Sequence, residues 1–186
     1  MPDGPFENPH AYQVVTLLEA AFDGIREEAR RLTVADFVDW PEALTTVREG
    51  YDESGWKFFG LYSTHDANVD ALYDLGKNRQ RCPFTSETCA RLPGMTDAGF
   101  SAFLPGTHLW PHHGENQGIL RCNLPLLVPS GDLGLKVEGQ TRRWKAGECI
   151  VFDDTRLHEA WNHGAGWRVV LIVTFRPDTA RRNIHP

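Results

Sequence analysis

The sequence predicts a mainly β protein with N-terminal helices, built around a double-stranded β-helix core of the jelly-roll, cupin-like kind. From Gly99 onward, short apolar runs alternate with turn-forming Gly, Pro, Asn and Asp residues, which is typical of many short strands. Earlier in the chain, apolar residues recur at three- and four-residue steps, which is typical of amphipathic helices. About seven or eight short strands joined by tight turns favour a double-sheet jelly roll over an open α/β sheet.

The first third of the chain is predicted to be helical and irregular. One apolar stripe predicts a helix from about residue 10 to about residue 31. Pro41 interrupts the segment that follows, residues 56–62 form an aromatic-rich strand candidate, and residues 68–77 carry apolar side chains at helical spacing. The residues of the first stripe are Tyr12, Val15, Leu18, Ala21, Phe22 and Ile25.

The second half of the chain contains the strand candidates of the core, and no boundary separates it from the first half. No internal repeat, low-complexity tract or flexible linker divides the sequence, so we expect one domain over residues 1–186. Within it, residues 1–95 are expected to form a mostly helical supporting region and residues 96–178 the jelly-roll catalytic core. The candidate strands are residues 100–103, 119–127, 133–137, 141–144, 149–152, 158–162 and 167–175.

Composition argues against several classes of function. The 186 residues, 41% of them hydrophobic, suffice for one substantial core. A formal net charge of -6 disfavours a general electrostatic interaction with nucleic acid or an anionic membrane. No stretch approaches the roughly 18 to 20 uninterrupted apolar residues that cross a bilayer, and no signal sequence is evident. We therefore expect a cytoplasmic protein with a small-molecule, amino-acid or peptide substrate, and with neither nucleic acid nor membrane as a partner.

The four cysteines do not form the spacing of a disulfide scaffold, and reduced thiols are their expected state. Cys122 and Cys149 lie in apolar runs, where a small buried hydrophobic role is favoured over a catalytic one. Cys82 and Cys89 flank a six-residue segment and could pair in an oxidising environment. We assign no function to any of them.

Two histidines have the placing that metal chemistry in a jelly roll requires. The rolled sheets bring an early core strand beside a late one, so ligands far apart in sequence become neighbours in space. His112 follows the first core strand, and His158 opens a later one. Either histidine alone is more often structural, whereas the two together form a candidate metal site.

Four short sequence segments, two of which contain these histidines, follow one another along the chain. They are Pro105 to His112, then Leu120 with Arg121, then Phe152 to Trp161, and finally Trp167 to Val169. Together they resemble the catalytic core of the aspartyl/asparaginyl β-hydroxylase family, within the iron(II)- and 2-oxoglutarate-dependent dioxygenase superfamily. The hallmarks of that family are Pro-Gly-Thr-His-x-Trp-Pro-His, an x-Arg strand, Phe-Asp-Asp-x-x-x-His-Glu-x-Trp and a late strand arginine. The resemblance covers a little under half of the chain closely.

The resemblance implies that His112 and His158 hold iron(II). It also implies that Arg168 binds the distal carboxylate of the cosubstrate 2-oxoglutarate, with Ser101 as its hydrogen-bonding neighbour, and that dioxygen is the second cosubstrate. Arg168 precedes the apolar run of residues 169–173. Burying an arginine there costs free energy unless an anion pairs with it, and a guanidinium is a natural bidentate partner of a carboxylate. The alternative is an ion pair between Arg168 and a buried acid of the Asp153–Asp154 pair.

Two further residues of the x-Arg strand are candidates for cosubstrate binding. Arg121 is similar to the arginine that in this family addresses the metal-proximal carboxylate of the cosubstrate, or the substrate itself. Asn123 stands where the family has a histidine, and Ile119 stands where a further arginine often appears. Both departures remove positive charge. They make an acidic side chain a less suitable substrate and favour a different small amine, amino acid or peptide.

Most non-haem iron oxygenases complete their site with an Asp or Glu two residues after the first histidine. That position is Gly114 here, and the resemblance implies a two-histidine site in which water or an outer-sphere group replaces the carboxylate. Glu115, Asp153 and Asp154 remain candidates for action through a water. For the two aspartates, local capping or orientation of a ligand histidine is favoured over general acid–base work.

The remaining histidines and tryptophans of the core have structural interpretations. His113 should point away from the metal and line the cavity, and His108 and His163 are expected to be structural. The tryptophans expected to wall the core and cavity are Trp110, Trp161 and Trp167.

The sequence therefore predicts an iron(II)- and 2-oxoglutarate-dependent oxygenase with His112, His158 and Arg168 as catalytic residues. It would hydroxylate an unactivated C–H bond of an amino acid, peptide or related small molecule, with succinate and carbon dioxide as coproducts. Halogenation, desaturation or epimerisation are other outcomes of such a site. Two alternatives stay open: a cupin-like isomerase or hydrolase that uses zinc or manganese, and a non-catalytic jelly-roll module that binds a carboxylate ligand.

Overall fold

A computed structural model describes residues 4–40, 49–64, 73–114 and 117–180. The helices are α1 (Gln13–Ala20), α2 (Phe22–Arg31), α3 (Leu75–Arg81), α4 (Pro83–Ala90) and α5 (Pro177–Ala180), with 3₁₀ turns at Pro9–Ala11 and Val34–Asp36. The strands are β1 (Val38–Asp39), β2 (Trp56–Tyr62), β3 (Met95–Phe103), β4 (His108–His112), β5 (Leu120–Leu127), β6 (Gly131–Val137), β7 (Gln140–Arg142), β8 (Ile150–Phe152), β9 (His158–Gly164) and β10 (Arg168–Phe175).

The strands form two antiparallel sheets. The larger sheet has the order β1-β2-β3-β10-β5-β8 and the smaller sheet the order β4-β9-β6-β7. One apolar cluster joins them, because Phe103 and Val170 of the larger sheet pack with Leu135 and Ala160 of the smaller one. Two antiparallel sheets packed face to face confirm the jelly-roll core expected from the sequence.

The other face of the larger sheet is covered by the N-terminal helices. Along β10, Leu171 and Val173 join Leu18 of α1 and Ile25 of α2 in a second apolar cluster. Val170 and Ile172, which alternate with them along β10, face the smaller sheet, as the alternation of side chains along a strand requires. The larger sheet is therefore buried on both faces and holds its inward side chains rigidly.

A buried carboxylate ties the helical layer together. Glu28 of α2 is 7% exposed, and its oxygens accept hydrogen bonds from the backbone N–H groups of Phe84 and Thr85 at 2.9 and 2.8 Å. The Thr85 hydroxyl donates to the same carboxylate at 2.7 Å. These amides belong to the first turn of α4, where a negative charge also interacts favourably with the helix dipole.

Most predicted elements are present, with shifted ends. The predicted N-terminal helix is two helices that meet at Ala21, and it starts at Gln13; β2 spans the predicted residues 56–62. β3 starts at Met95 rather than at residue 100, and β4 was not among the predicted strands. Residues 68–72 of the predicted segment 68–77, and Pro41, lie outside the described residues.

Two further findings concern the whole described part of the chain. Within the described ranges, no helix has the length and apolar character needed to cross a bilayer. All four cysteines are free thiols, and all four are buried.

Candidate active site

His112 and His158 lie side by side on β4 and β9. They are register partners in the smaller sheet, and their ring centroids are 4.2 Å apart. Nδ1 of His112 donates to the Trp110 carbonyl, and Nδ1 of His158 donates to the Arg156 carbonyl, both at 2.8 Å. Because a carbonyl only accepts, the proton of each neutral ring is on Nδ1, and Nε2 is the acceptor nitrogen. Both rings thus have the tautomer that metal ligation through Nε2 requires.

The surroundings of His158 favour its neutral form. The residue is 4% exposed, and burial, reinforced by the neighbouring His112, lowers its pKa to about 4. A neutral imidazole is the form that binds a metal ion. His158 is therefore available as a ligand at neutral pH without first losing a proton.

Asp154 lies beside the histidine pair. Its Oδ1 is 3.4 Å from Nε2 of His158, and its Oδ2 accepts a hydrogen bond from Nη2 of Arg121 at 2.9 Å. Oδ1 is buried and forms no hydrogen bond with the described residues. A Cβ atom at Gly114 would overlap the Asp154 carboxylate. Asp154 therefore occupies the space that a side chain two residues after His112 would need.

At this place the described residues offer two histidines and a neighbouring acid. Among these residues, no cluster of three or more His, Cys, Asp or Glu side chains has the arrangement of a metal site. Glu115, a candidate from the sequence for action through a water, lies outside the described residues. Asp153 caps a turn, since its Oδ1 accepts from the backbone N–H and the hydroxyl of Thr155 at 2.9 and 2.7 Å.

Arg168 faces the histidines from the larger sheet. It is 2% exposed, and burial lowers its pKa to about 9. Its guanidinium carbon lies 3.9 Å from the ring centroid of Phe103 and 5.2 Å from that of Trp144. Within the described part of the chain, Nε of Arg168 has no hydrogen-bond partner and no acid forms an ion pair with the guanidinium. Asp154, the alternative partner considered from the sequence, pairs with Arg121 instead.

Around Arg168, several polar groups have no hydrogen-bond partner in the part of the chain that the structure describes. Arg168, Ser101 and Asn123 line a cavity of about 30 Å³, the volume of about one water molecule. Ser101 is 1% exposed and accepts a hydrogen bond from Nε1 of Trp56 at 3.2 Å. Oδ1 of Asn123 and Nε1 of Trp144 are buried without a partner among the described residues. The buried cation of Arg168 and the unpaired Nε1–H donor of Trp144 at one place fit an anionic ligand.

A larger cavity of about 460 Å³ opens beside the histidine pair. His112, Asp154 and Arg121 line its inner end. Trp56, Arg121 and Ile172 line both cavities, so the two spaces meet next to the histidines. The aromatic residues of its wall are Trp40, Trp56, Phe58, Tyr62, Tyr73 and Trp110.

The candidate residues taken from the sequence converge on the space between the sheets. His112 and His158 come from the smaller sheet, and Ser101, Arg121, Asn123 and Arg168 come from the larger one. Of the predicted tryptophan walls, Trp110 lines the cavity, whereas Trp161 lies with His108 and His163, and Trp167 packs on Phe37. His113 also lines the cavity, and its Nδ1 donates to the Thr155 carbonyl at 2.8 Å.

Three residues of the site were not identified from the sequence. Trp56 and Trp144 line the small cavity, and Asp97 lines the large one. The alternation of Trp56 and Phe58 along the predicted strand indicated a shared face and could have identified this wall. Trp144 and Asp97 gave no such signal, because each becomes part of the site only through sheet pairing.

The sequence of the chain matches a known family. A profile of the family described as Aspartyl/Asparaginyl beta-hydroxylase matches residues 19–177. The chain is 33% identical to the ornithine lipid ester-linked acyl 2-hydroxylase of Rhizobium tropici over 180 residues, which cover 90% of this chain and 60% of that protein. It is 35% identical over 192 residues to the human aspartate beta-hydroxylase domain-containing protein 1, covering 93% and 44% of the two chains.

A further relative is much longer than this chain. Identity with the mouse aspartyl/asparaginyl beta-hydroxylase is 32% over 131 residues, which cover 61% of this chain and 18% of the mouse protein. The chain thus spans 60% or less of the length of these relatives.

Proposed function

Because the chain belongs to the aspartyl/asparaginyl β-hydroxylase family, we propose that it is an iron(II)- and 2-oxoglutarate-dependent oxygenase. It would hydroxylate an unactivated C–H bond of an amino acid, a peptide or a related small molecule, with succinate and carbon dioxide as coproducts. One observation carries the proposal most strongly: two histidines with Nε2 as acceptor face a buried arginine that has no acidic partner among the described residues.

The metal would be held by Nε2 of His112 and Nε2 of His158. When bound with the keto acid and dioxygen, iron(II) supplies the oxidising power for C–H hydroxylation. The tautomers set by the Trp110 and Arg156 carbonyls support this role, because they leave the acceptor nitrogens to the metal. Asp154 offers Oδ1 as an acceptor for a water molecule beside His158, and Arg121 holds the other carboxylate oxygen in place.

The distal carboxylate of 2-oxoglutarate would bind to Arg168 and Ser101. A guanidinium in an apolar setting binds a carboxylate strongly, since water does not compete for either charge. Phe103 fixes the guanidinium plane from one side, and Trp56 fixes the Ser101 hydroxyl. Asn123, buried beside them, is a further candidate contact for the cosubstrate.

The cavity walls would exclude water from the reacting carbon. Trp56, Phe58 and Trp110 present large apolar surfaces next to His112, and such a wall suppresses side reactions of an oxidising site. The same surfaces support a substrate with an apolar portion. The name of the Rhizobium relative describes hydroxylation of an acyl group, and that of the mouse relative describes hydroxylation of aspartyl and asparaginyl residues.

We extend the proposal to the organisation of the chain. Residues 1–186 would form one domain, in which residues 1–95 support a catalytic core of residues 96–178. The shared cluster of Leu18, Ile25, Leu171 and Val173 supports one continuous core. A cytoplasmic location and the absence of nucleic-acid and membrane partners stay predictions from composition.

The test is turnover of 2-oxoglutarate by the purified full chain. Succinate should form in air only when iron(II) is present, and the His158→Ala variant should form less than about 1% of the wild-type amount. The exposed His10→Ala variant is the matched control and should behave like the wild type. Metal-dependent chemistry that needs no 2-oxoglutarate would favour the isomerase or hydrolase alternative, and tight ligand binding without succinate would favour the binding module.

A further inference from the structure

The large cavity has an acidic end that the proposed chemistry does not use. Asp97 of β3 lines this cavity. The Ser63 hydroxyl donates to Oδ1 of Asp97 at 2.9 Å, and the Thr174 hydroxyl donates to Oδ2 at 2.7 Å. Two hydroxyl donors, from two different neighbouring segments, hold the carboxylate in one orientation. Its negative charge is therefore presented at a fixed place in the cavity wall.

Sheet register gives the distance between Asp97 and the histidine end. Thr174 of β10 pairs with Asp97 of β3 on one side and with Arg121 of β5 on the other. The three residues therefore form one row across the sheet. Since neighbouring strands are about 4.8 Å apart, the Cα atoms of Asp97 and Arg121 are separated by about 10 Å. Arg121 contacts Asp154, so the row ends beside the histidine pair.

Aromatic rings cover the sheet next to Asp97. The Phe58 ring lies over Gly99, two residues from Asp97 on the same face, because a Cβ at Gly99 would overlap that ring. Tyr73 contacts Phe58 edge to face at a centroid distance of 5.3 Å. Gly60 pairs with Gly99, and a Cβ there would meet Tyr73 and Leu75. These two glycines let the rings approach the backbone and form a wall that leads to the acid.

A carboxylate at the end of an aromatic wall selects for a cation. An ammonium group gains from the negative charge of Asp97 and from the π electrons of the neighbouring rings. A neutral hydroxyl gains much less, and a carboxylate is repelled. The apolar surface of the same rings favours an alkyl or aryl portion attached to the cation.

We propose that Asp97, positioned by Ser63 and Thr174, binds a protonated amine of the prime substrate, whose apolar portion lies against Phe58 and Tyr73. The proposal rests on the proposed function only in taking this cavity as the place where the substrate binds. With the amine about 10 Å from the Arg121 end, the oxidised carbon lies several bonds away from the nitrogen. The substrate class is thus an amine with an apolar arm, rather than an acid.

The experiment measures binding of three eight-carbon probes to the metal-free full chain. The probes are n-octylammonium, 1-octanol and octanoate, and the signal is the change in tryptophan fluorescence, to which the cavity residues Trp40, Trp56 and Trp110 contribute. The ammonium should bind at least about tenfold more tightly than the alcohol, whereas octanoate, whose carboxylate Arg168 and Arg121 also attract, should lose no affinity in Asp97→Asn. In Asp97→Asn, the ammonium affinity should fall about tenfold while the alcohol affinity stays within about twofold of the wild type.

Two variants separate binding from structural support. Asp97→Glu keeps the charge and should retain part of the preference for the ammonium, whereas Asp178→Asn removes an exposed acid and should leave all three affinities unchanged. Circular dichroism checks that each variant is folded. If Asp97 only ties β3 to its neighbours, Asp97→Asn will melt at a lower temperature but keep the wild-type order of the probes.

Equal affinity for the ammonium and the alcohol, or an ammonium affinity that Asp97→Asn leaves unchanged, would overturn the assignment. Because these probes are tested without metal or 2-oxoglutarate, the result is independent of the oxygenase proposal. Amine selectivity without any succinate formation would contradict the oxygenase proposal and support the amine site. Succinate formation without amine selectivity would contradict the amine site and support the oxygenase proposal.

Discussion

The carboxylate of Asp154 fills the space that a side chain at Gly114 would need. Gly114 is the position at which most non-haem iron sites carry their acidic ligand. Here the acid comes instead from the turn before β9, pairs with Arg121 and lies 3.4 Å from Nε2 of His158. A side chain at residue 114 and the acid at residue 154 are therefore mutually exclusive in this fold.

Gly114→Ala should destabilise the protein through this overlap. The backbone at Gly114 does not have a positive φ, so the cost is steric, and we expect a loss of about 1–3 kcal/mol in the free energy of unfolding. Urea denaturation of the metal-free protein measures it. Gly76→Ala is the matched control, because a Cβ there meets no atom within 4 Å and alanine favours the helix α3. Equal stability of Gly114→Ala and the wild type would show that Asp154 is not fixed in this space.

Arg168→Met should separate ligand binding from folding. A buried cation without an acidic partner among the described residues is costly, so an apolar replacement should leave the melting temperature of the ligand-free protein unchanged or raise it. Saturating 2-oxoglutarate at about 100 times its Kd should stabilise the wild type by about 2.7 kcal/mol and the variant far less. Differential scanning calorimetry with and without the ligand measures both effects.

The matched control for that experiment is Arg91→Met, which removes an exposed arginine paired with Glu87 on the helix surface. It should keep the full stabilisation by 2-oxoglutarate. A marked drop in the melting temperature of ligand-free Arg168→Met would contradict the account, since it would mean that the contacts of Arg168 with Phe103 and Trp144 outweigh the cost of burying its charge.

Glu28→Ala should weaken the helical layer without changing the site. The substitution leaves the backbone N–H groups of Phe84 and Thr85 buried without their acceptor, which costs about 2–4 kcal/mol. Glu27, the exposed neighbour on the same helix, gives the matched control Glu27→Ala with an effect within about 0.5 kcal/mol. Urea unfolding curves compare the three proteins, and a stable Glu28→Ala variant would show that the α2–α4 contact is unimportant.

The thiols should be inert in the native protein. Burial raises the pKa of Cys82 and of Cys89 to about 12, and the pKa of Cys149 is also raised, through its contact with Cys122 and through burial. At pH 8 a thiol reagent should therefore modify none of the four cysteines in the native state and all four in urea. Because the native pKa values lie above the usual 9.0, alkaline pH favours the unfolded state and should reduce stability as the pH rises above that value. Rapid labelling of a native thiol would contradict the buried positions.

The sequence predicts the fold because its signals are local. The apolar stripe through Leu18 and Ile25, and the short strands with their turn residues, each follow from side-chain periodicity. β4 was not predicted, since His108, Pro111 and His112 interrupt any apolar alternation along it. Its strand character comes from pairing with β9, which is a long-range contact.

The difference between local sequence signals and long-range strand pairing also separates the predicted from the unpredicted parts of the site. The histidine pair and Arg168 were identified because the segments around them resemble a known family. The partner of Arg121 and the position of Asp97 depend on sheet register, which a single sequence does not specify. Trp161, expected at the cavity, lies with His108 and His163 because β9 alternates its side chains between the two faces of the smaller sheet.

The most direct test of the central claim is an anaerobic titration of the purified protein with iron(II) and 2-oxoglutarate. A keto acid that chelates iron(II) gives a weak visible charge-transfer band, which neither component gives alone. The wild type should show the band, His112→Ala and His158→Ala should lose it, and Arg168→Met should need far more 2-oxoglutarate to reach it. Folded wild-type protein that shows no band at saturating iron(II) and 2-oxoglutarate would contradict the assignment of the histidine pair and Arg168 to one cosubstrate site.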